Sequence, residues 1–505
     1  MRPALALLAL AFLLALPQLG GETWSGTEAR RVQIALEMAQ SGQWLLPTLG
    51  HEPTLAKPPL YYWLLAPLVG AFGPSPAATR VPSVLAHALL AAYVFALLRR
   101  RRGPHAGLVA ALAILLMPVL LEAMPRAEID PLFTAFTAVS LLALADACCG
   151  GPRSAAWLAG VCGGLALLTK GPPYLLFLAG MAVAALRGRG ARESGRSAAM
   201  LAAYLVPLVA LPLVWLVPLL GKEVDAGEAS RVAGEESVGR LLYFTREQVV
   251  ETPGYLLRMA LLTLPLGLFV FARPAAEETA PERRFARLCA WGGIGAILLV
   301  ALFPGRPTRY LLPGFPLLVV ALLPRVLAWL QGGGVPRWLA AVVRGLGLAG
   351  VGLLAAVPLL PAQVQAIVPG LALGLGAVPL VARTRAGVLA ALALVCASAA
   401  WSVFAHPLGS GPRTLARAGA TLAEEVRTRA AQDLGTRGHF PSQVLLAAGL
   451  LPPGDELAAR APRTRWLLVE DPDAQVAVDA SRAEGYEDRV RLRVRGKTLV
   501  LQERR

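Results

Sequence analysis

The chain has 505 residues, of which 56% are hydrophobic and 16% charged, and its mean hydropathy is +0.58. Soluble domains carry about 25% charged residues, so a soluble globular protein is excluded. Repeated apolar runs of roughly 20 residues without strict alternation point to helical membrane spans, not barrel strands. The net charge of +16 comes mostly from arginines between apolar runs; no zinc spacing, helix-turn-helix or RNA-binding signature accompanies them, which sets nucleic acid aside as a partner.

In chain order, apolar runs fall near 3–20, 80–98, 105–121, 131–147, 155–170, 171–186, 198–220, 254–272, 288–303, 310–330, 338–360, 363–382 and 386–404. They predict an all-α polytopic membrane protein with about thirteen transmembrane helices. Residues 3–17 follow Arg2 as a signal peptide would, but Pro17-Gln18-Leu19-Gly20 offers no A-x-A cleavage pattern, so the run is read as an uncleaved first span. Arginines 99–102, 187, 189, 192 and 196, 273, 283, 284 and 287, 337, and 383 and 385 recur in alternate loops. The bias of basic residues toward the inside makes those loops cytoplasmic, the N-terminus cytoplasmic and the C-terminal segment extracytoplasmic. The five cysteines, Cys148, Cys149, Cys162, Cys289 and Cys396, lie in or beside spans and read as small packing residues.

The opposite, outer face gathers the unusual polar residues. The first outer loop, 21–79, carries Glu22, Glu28, Glu37 and Glu52, the Lys57-Pro58-Pro59 triplet and the aromatic cluster Tyr61, Tyr62 and Trp63. Residues Thr27–Gln40 predict an amphipathic interfacial helix with Val32, Ala35, Leu36 and Ala39 toward the bilayer. Thr27 is its natural cap, so Glu28 is either a first-turn acid favoured by the helix dipole or a catalytic acid. The turn 122–130 holds Glu122, Arg126, Glu128 and Asp130, with Asp130 before Pro131 in a capping position. Ionisable groups at that depth are usually paired or functional, and Arg126 could pair with Glu128 or Asp130. Lys57 is presented by a proline-stiffened backbone. Lys170 ends an apolar run before Gly171-Pro172-Pro173, and Arg306 and Arg309 flank Pro307-Thr308 ahead of Tyr310. Such cations on an outer face run against the inside bias and suit a phosphate or pyrophosphate. The acids and cations together fit a transferase in which a base deprotonates an acceptor hydroxyl and cations stabilise a departing phosphate. Residues 221–253, with Glu223, Asp225, Glu228, Glu235 and Glu236, are either a lid ordered by donor binding or a solvated connector.

Residues 405–505 read as a small soluble α/β domain on the outer side. A helix is expected over Arg413–Asp433, and strands over Gln443–Leu446, Trp466–Glu470, Val476–Val478 and Val490–Leu501.

Three motif groups resemble one family. They are Thr27-Glu28-Ala29-Arg30 through Ser41-Gly42-Gln43-Trp44-Leu45-Leu46-Pro47 to Lys57-Pro58-Pro59-Leu60-Tyr61-Tyr62-Trp63; Leu168-Thr169-Lys170-Gly171-Pro172; and Arg306-Pro307-Thr308-Arg309-Tyr310-Leu311-Leu312-Pro313. Together, over roughly residues 20–320, they resemble the aminoarabinose transferase/protein mannosyltransferase superfamily of GT-C integral-membrane glycosyltransferases. The resemblance implies a transmembrane glycosyltransferase domain at 1–404 and a periplasmic domain at 405–505, in a bacterial inner membrane. It implies inverting transfer of a sugar from a polyprenyl-phosphate donor to a lipid, glycan or protein acceptor, lipid A among the acceptors of the family. It gives catalytic roles to Glu28 and Asp130 and donor-phosphate binding to Lys57, Lys170 and Arg309; the outer-face residues themselves add Glu128 as a catalytic candidate, Arg306 as a phosphate-binding one, and Arg126, Tyr61, Tyr62 and Tyr310 as a substrate pocket. Thr27 stands where the family has an aspartate, so the base is sought at Glu28 or Asp130. A divalent metal stays a possible cofactor. Two readings from other classes compete. A lipid or sugar-phosphate transporter would place charges at mid-span and show related halves; a non-catalytic cell-envelope scaffold is kept open by Thr27 in place of the family aspartate.

Overall fold

The computed structural model describes residues 2–19, 24, 27–49, 52–187, 194–221, 278–301 and 308–331, isolated positions at 266, 269 and between 341 and 388, and strand residues 434–437, 466–471, 486–494 and 497–504. The expected spans at 254–272, 338–360, 363–382 and 386–404 lie outside this set or touch it only at isolated positions, as do Cys396, the 221–253 loop beyond Gly221 and the expected helix at 413–433.

Among the described residues the architecture is a helical bundle. Its elements are α1 (Arg2–Leu19), α2 (Glu28–Ser41), α3 (Leu60–Phe72), α4 (Pro76–Arg102), α5 (Pro104–Leu116), α6 (Pro118–Ala123), α7 (Ile129–Cys148), α8 (Arg153–Lys170), α9 (Pro173–Arg187), α10 (Ser194–Leu220), α11 (Ala280–Ala301) and α12 (Gly314–Gln331). Four of them contain stretches long and apolar enough to cross a membrane, at Pro76–Arg102, Ile129–Cys148, Ala198–Leu220 and Gly314–Gln331. Shorter apolar helices run at Pro3–Leu16, Leu60–Phe72, Pro104–Leu116 and Pro173–Ala185.

Local chemistry sets the boundaries. Ser75 caps α4, its hydroxyl accepting from the Ala78 amide at 3.2 Å, and Pro76 occupies the first turn, where its missing N–H is harmless. Four arginines fill the last turn of α4, opposite in sign to the dipole there. Gly103, at φ 92°, then turns the chain into Pro104 and α5. The run expected as one span at 105–121 is divided, because Pro118 drives Met117 into extended backbone, and α6 starts afresh.

Small residues let the helices close on one another. A Cβ at Gly160 would lie 2.1 Å from the Tyr204 carbonyl, and one at Gly164 would lie 2.7 Å from that of Pro207. The stripe Gly160–Gly164 thus seats α8 against α10 in the small-xxx-small manner of membrane helices. Gly180 of α9 meets Gly295 of α11, and Gly293 of α11 meets Gly314 of α12. A buried hydroxyl chain adds polar links: Ser140 donates to the Ala159 carbonyl at 2.6 Å and lies 2.8 Å from the Tyr174 hydroxyl, itself 2.8 Å from that of Tyr204. Cys149, Cys162 and Cys289 are buried and Cys148 partly so, all as free thiols, in keeping with their packing role.

The segment 21–79, expected as the first outer loop, differs from the expected interfacial arrangement. It contains α2, a two-stranded hairpin of β1 (Thr48–Leu49) and β2 (Glu52–Pro53), and α3. Val32, Ala35 and Leu36 of α2 are buried, and Gly70 of α3 lies against Ala39. The apolar face of α2 is therefore covered by protein, not by the bilayer, because α3 supplies a complementary apolar surface. Glu37 ties the hairpin to α2, accepting from Thr48 at 2.8 Å and from Gln33 at 2.9 Å.

Near the C-terminus, β3 (Leu434–Arg437), β4 (Trp466–Asp471), β5 (Tyr486–Val494) and β6 (Lys497–Arg504) form a mixed sheet in the order β3-β4-β6-β5. The strand expected over 490–501 is two antiparallel strands instead, β5 and β6, paired in register as far as Val494↔Lys497. Strand β3 was not foreseen, and the strands expected at 443–446 and 476–478 lie outside the described residues.

Candidate active site

The residues expected on the outer face, drawn from distant parts of the sequence, meet at one end of the bundle. Glu28, in the first turn of α2, has no exposure. Arg80 of α4 donates Nε and Nη2 to its two oxygens at 3.0 and 3.1 Å, and the Ala127 amide donates to Oε1 at 2.7 Å. One carboxylate thus joins α2, α4 and the α6–α7 turn. Arg80 was not singled out in the sequence. Its signal was there: a lone arginine one turn into a span, on the face expected to be outside, which basic residues avoid.

Thr27 does not cap α2 through its side chain. Its hydroxyl donates instead to Oε1 of Glu128, across 101 positions of sequence. The other oxygen of Glu128 lies 3.9 Å from Nε of Arg31, whose Nη1 donates to the Tyr62 hydroxyl at 2.8 Å. Burial raises the Glu128 carboxyl above the usual carboxylate range, with Arg31 and the Thr27 hydroxyl opposing that rise and Asp130 adding to it. Tyr61 and Tyr62 are both buried and stack edge-on, 6.1 Å between ring centres.

Asp130 is not the cap of α7, a position held by Glu128, but a member of its first turn. One oxygen of its carboxylate is bound by the Lys170 ammonium, and the other lies 3.7 Å from Nε of Arg309. Lys170 occupies the last turn of α8, where the helix dipole favours a cation. Its ammonium sits 4.1 Å above the Tyr310 ring and 5.3 Å from the centre of Phe133, a site that stabilises a cation while shielding it from water. Arg309 is 47% exposed along its side chain, whereas Lys170 is 7%; the pair spans the rim and the floor of one basic cluster. Gly171, at φ 79°, turns the chain out of α8, and a Cβ there would lie 3.8 Å from Pro58. The Lys57-Pro58 segment is thereby laid against the Lys170 end of α8. Lys57 is partly buried, and its ammonium donates to the Ala56 carbonyl at 2.8 Å.

Arg126 departs from expectation. It pairs with Glu122 one turn earlier at 2.9 Å, and both are about 40% exposed. A residue at the exposed tip of the turn reaches its i−4 neighbour more readily than Glu128 or Asp130, whose side chains point inward. Arg306 lies outside the described residues. Among the described residues no three histidine, cysteine or acidic side chains converge as a metal site, and Asp130 and Glu28 are each held by a cation.

The far end of the bundle has its own charge network. Arg100 and Arg101 bind Asp146, Arg101 also reaches Glu282 at 2.6 Å, and Arg102 reaches Glu278 at 2.7 Å. Arg80 and Arg101 lie on one helix roughly 30 Å apart by helical rise. The two ends are therefore separate, and the residues expected on the outer face occupy one of them.

The fold has known counterparts. The chain superposes on the crystal structure of ArnT from Cupriavidus metallidurans bound to undecaprenyl phosphate with a TM-score of 0.72 at 17% identity, covering 98% of this chain and 97% of that one. Against the apo state of the same protein the TM-score is 0.73 at 16% identity, with the same coverage. The fold is that of ArnT, a multi-pass membrane architecture. The family model described as dolichyl-phosphate-mannose-protein mannosyltransferase matches residues 56–215. An undecaprenyl phosphate-alpha-4-amino-4-deoxy-L-arabinose arabinosyl transferase of Pseudomonas paraeruginosa is 29% identical over 373 residues, 69% of this chain and 63% of that protein. One of the same description from Pseudomonas aeruginosa is 32% identical over 231 residues, 44% of this chain and 41% of its own length. The matches thus span less than two thirds of these relatives. In fold this chain is similar to ArnT over nearly its whole length, and in sequence it is similar to these transferases over part of its length.

Proposed function

We propose that this protein is a membrane glycosyltransferase that moves a sugar from a polyprenyl-phosphate donor to an acceptor hydroxyl at the outer face of a bacterial inner membrane. The observation that carries the reading is the Asp130–Lys170–Arg309 cluster beside Glu128. It sets a desolvated cation, an exposed cation and a carboxylate of raised proton affinity at the same end of the bundle. The relatives named for undecaprenyl-phosphate aminoarabinose transfer support a polyprenyl-phosphate donor and a lipid acceptor.

In this reading Lys170, Arg309 and Lys57 receive the donor phosphate, with Arg306 beside Arg309 in sequence. Glu128 accepts the proton of the acceptor hydroxyl. The acceptor oxygen attacks the anomeric carbon from the face opposite the phosphate, the C–O bond to phosphate breaks, and configuration inverts. The departing polyprenyl phosphate keeps the bonding electrons, and the cations neutralise the charge that grows on it. Asp130 holds Lys170 and Arg309 in place until the phosphate arrives. Glu28, saturated by Arg80 and the Ala127 amide, acts as a positioning residue. Tyr62 and Tyr310 orient the cations Arg31 and Lys170, and Tyr61 backs Tyr62. Residues 1–404 form the transferase unit and 405–505 an outer domain, and the arginine pattern supports an N-terminus inside.

Mass spectrometry of envelope lipids and glycoproteins from cells with and without the protein tests the reading. A hexose- or aminopentose-sized mass increment present only with the protein is expected. Identical lipid and glycan profiles, together with movement of labelled lipid across vesicles containing the pure protein, would overturn it in favour of a transporter.

A further inference from the structure

The end of the bundle opposite the candidate active site holds a second basic cluster that the transfer chemistry does not use. A cavity of about 310 Å³ opens between α11 and α12, lined by Glu278, Arg283, Arg287, Trp291, Pro324 and Arg325 with small alanines between them. On α11, Arg283, Arg287 and Trp291 recur at four-residue intervals and so share one face. On α12, Ala321, Pro324 and Arg325 face them. The helices run antiparallel, as the contact of Gly293 with Gly314 near their other ends requires.

The charges here are not balanced by acids. Glu278 is taken by Arg102 at 2.7 Å, and Glu282 by Arg101 at 2.6 Å. Arg283 donates to the Glu278 main-chain carbonyl and is otherwise at the surface. Arg325 lies two turns inside the end of α12, and its Nε is buried with no hydrogen-bond partner among the described residues. A buried donor left unmade is costly. A topological role needs arginines in the loop, not one set into a span. The gradient along the cavity runs from exposed guanidinium to indole and methyl groups, as it does from a lipid headgroup to its chains.

We propose that this groove binds the headgroup of an anionic phospholipid. The phosphodiester is held by Arg287 and Arg325 in charge-assisted hydrogen bonds, with Arg283 at the mouth and the glycerol and upper acyl chain against Trp291, Ala290 and Ala321. Basic pockets between membrane helices on the cytoplasmic side recognise anionic lipids in this way. The lipid pins α11 to α12 at the end remote from the chemistry, so the inference stands apart from the transferase reading.

Native mass spectrometry of the full chain, purified in detergent and exchanged into phosphatidylglycerol or into phosphatidylcholine with the same acyl chains, tests it. A retained phosphatidylglycerol adduct and no phosphatidylcholine adduct are expected. R325Q and R287Q should each weaken retention roughly tenfold, while R99Q, at the same end but outside the groove, should not. If R325Q fails to fold, R287Q at an exposed position carries the test alone. Equal retention of both lipids, equal loss in R287Q and R99Q, or complete replacement of phosphatidylglycerol by excess inorganic phosphate would overturn the assignment.

Discussion

Arg80 grips Glu28 at two points, 3.0 and 3.1 Å, where neither side chain is more than 8% exposed. Removing one partner of such a buried pair leaves an uncompensated charge, at roughly 3–5 kcal/mol. Glu28→Gln and Arg80→Gln are each expected to lower the thermal unfolding midpoint in detergent substantially. The double variant should lose less than the sum, because the second change removes the orphaned charge. A Glu28→Gln protein as stable as the original, with its activity abolished, would instead make Glu28 the base.

In the proposed reaction Lys170 is the most buried of the described cations that receive the donor phosphate. Lys170→Gln is expected to raise the KM or Kd for a polyprenyl-phosphate donor by at least roughly tenfold, and Arg309→Gln to have a smaller effect because water already screens it. Binding of labelled polyprenyl phosphate to the purified variants measures this. A larger effect at Arg309 than at Lys170 would place the phosphate at the rim.

Thr27 and Glu128 set a pH dependence. Burial raises the Glu128 carboxyl and the Thr27 hydroxyl lowers it. As the base, Glu128 must be ionised, so activity falls as pH drops through its pKa, and that limb should lie above the ordinary glutamate range. Thr27→Val keeps the shape and removes the hydrogen bond, which moves the limb to still higher pH. The pH profile of kcat/KM reads this directly; no movement, or movement downward, would uncouple Thr27 from the chemistry.

Glycine spacing predicts packing. Gly160→Ala forces a Cβ to 2.1 Å from the Tyr204 carbonyl, whereas Gly70→Ala meets only Ala39 at 3.8 Å. The first should destabilise the bundle by about 1–3 kcal/mol or more, and the second should be neutral or slightly favourable in a helix interior. Thermal unfolding of the two variants separates them.

The sequence disclosed one kind of information well and another poorly. Apolar run lengths placed the helices at 76–102, 129–148, 153–170 and 194–220 within a few residues, because span length is set by the bilayer. The arginine pattern brought Glu28, Glu128, Asp130, Lys170 and Arg309 to one end, because topology follows charge. Pairing within that end was not legible. Thr27 has the composition of a helix cap, yet its hydroxyl is drawn to Glu128, a choice that depends on where the α6–α7 turn lands. Arg126 was matched to the nearest interesting acids, while the turn geometry gave it Glu122. Arg80 and Arg31 were overlooked because their partners lie on other helices. The apolar stripe of α2 was assigned to lipid because nothing local tells a bilayer from a neighbouring helix.

The central claim is that the cluster around Glu128 and Lys170 transfers a sugar from polyprenyl phosphate. The most direct measurement is single-turnover transfer from a labelled undecaprenyl-phosphate sugar to a lipid acceptor, in proteoliposomes of the intact protein and of Glu128→Gln. The intact protein should form product, and Glu128→Gln should bind donor normally while kcat falls by roughly 10²–10⁴-fold. Equal turnover by the two proteins, or donor binding by the intact protein with no product from any lipid, glycan or protein acceptor, would contradict it.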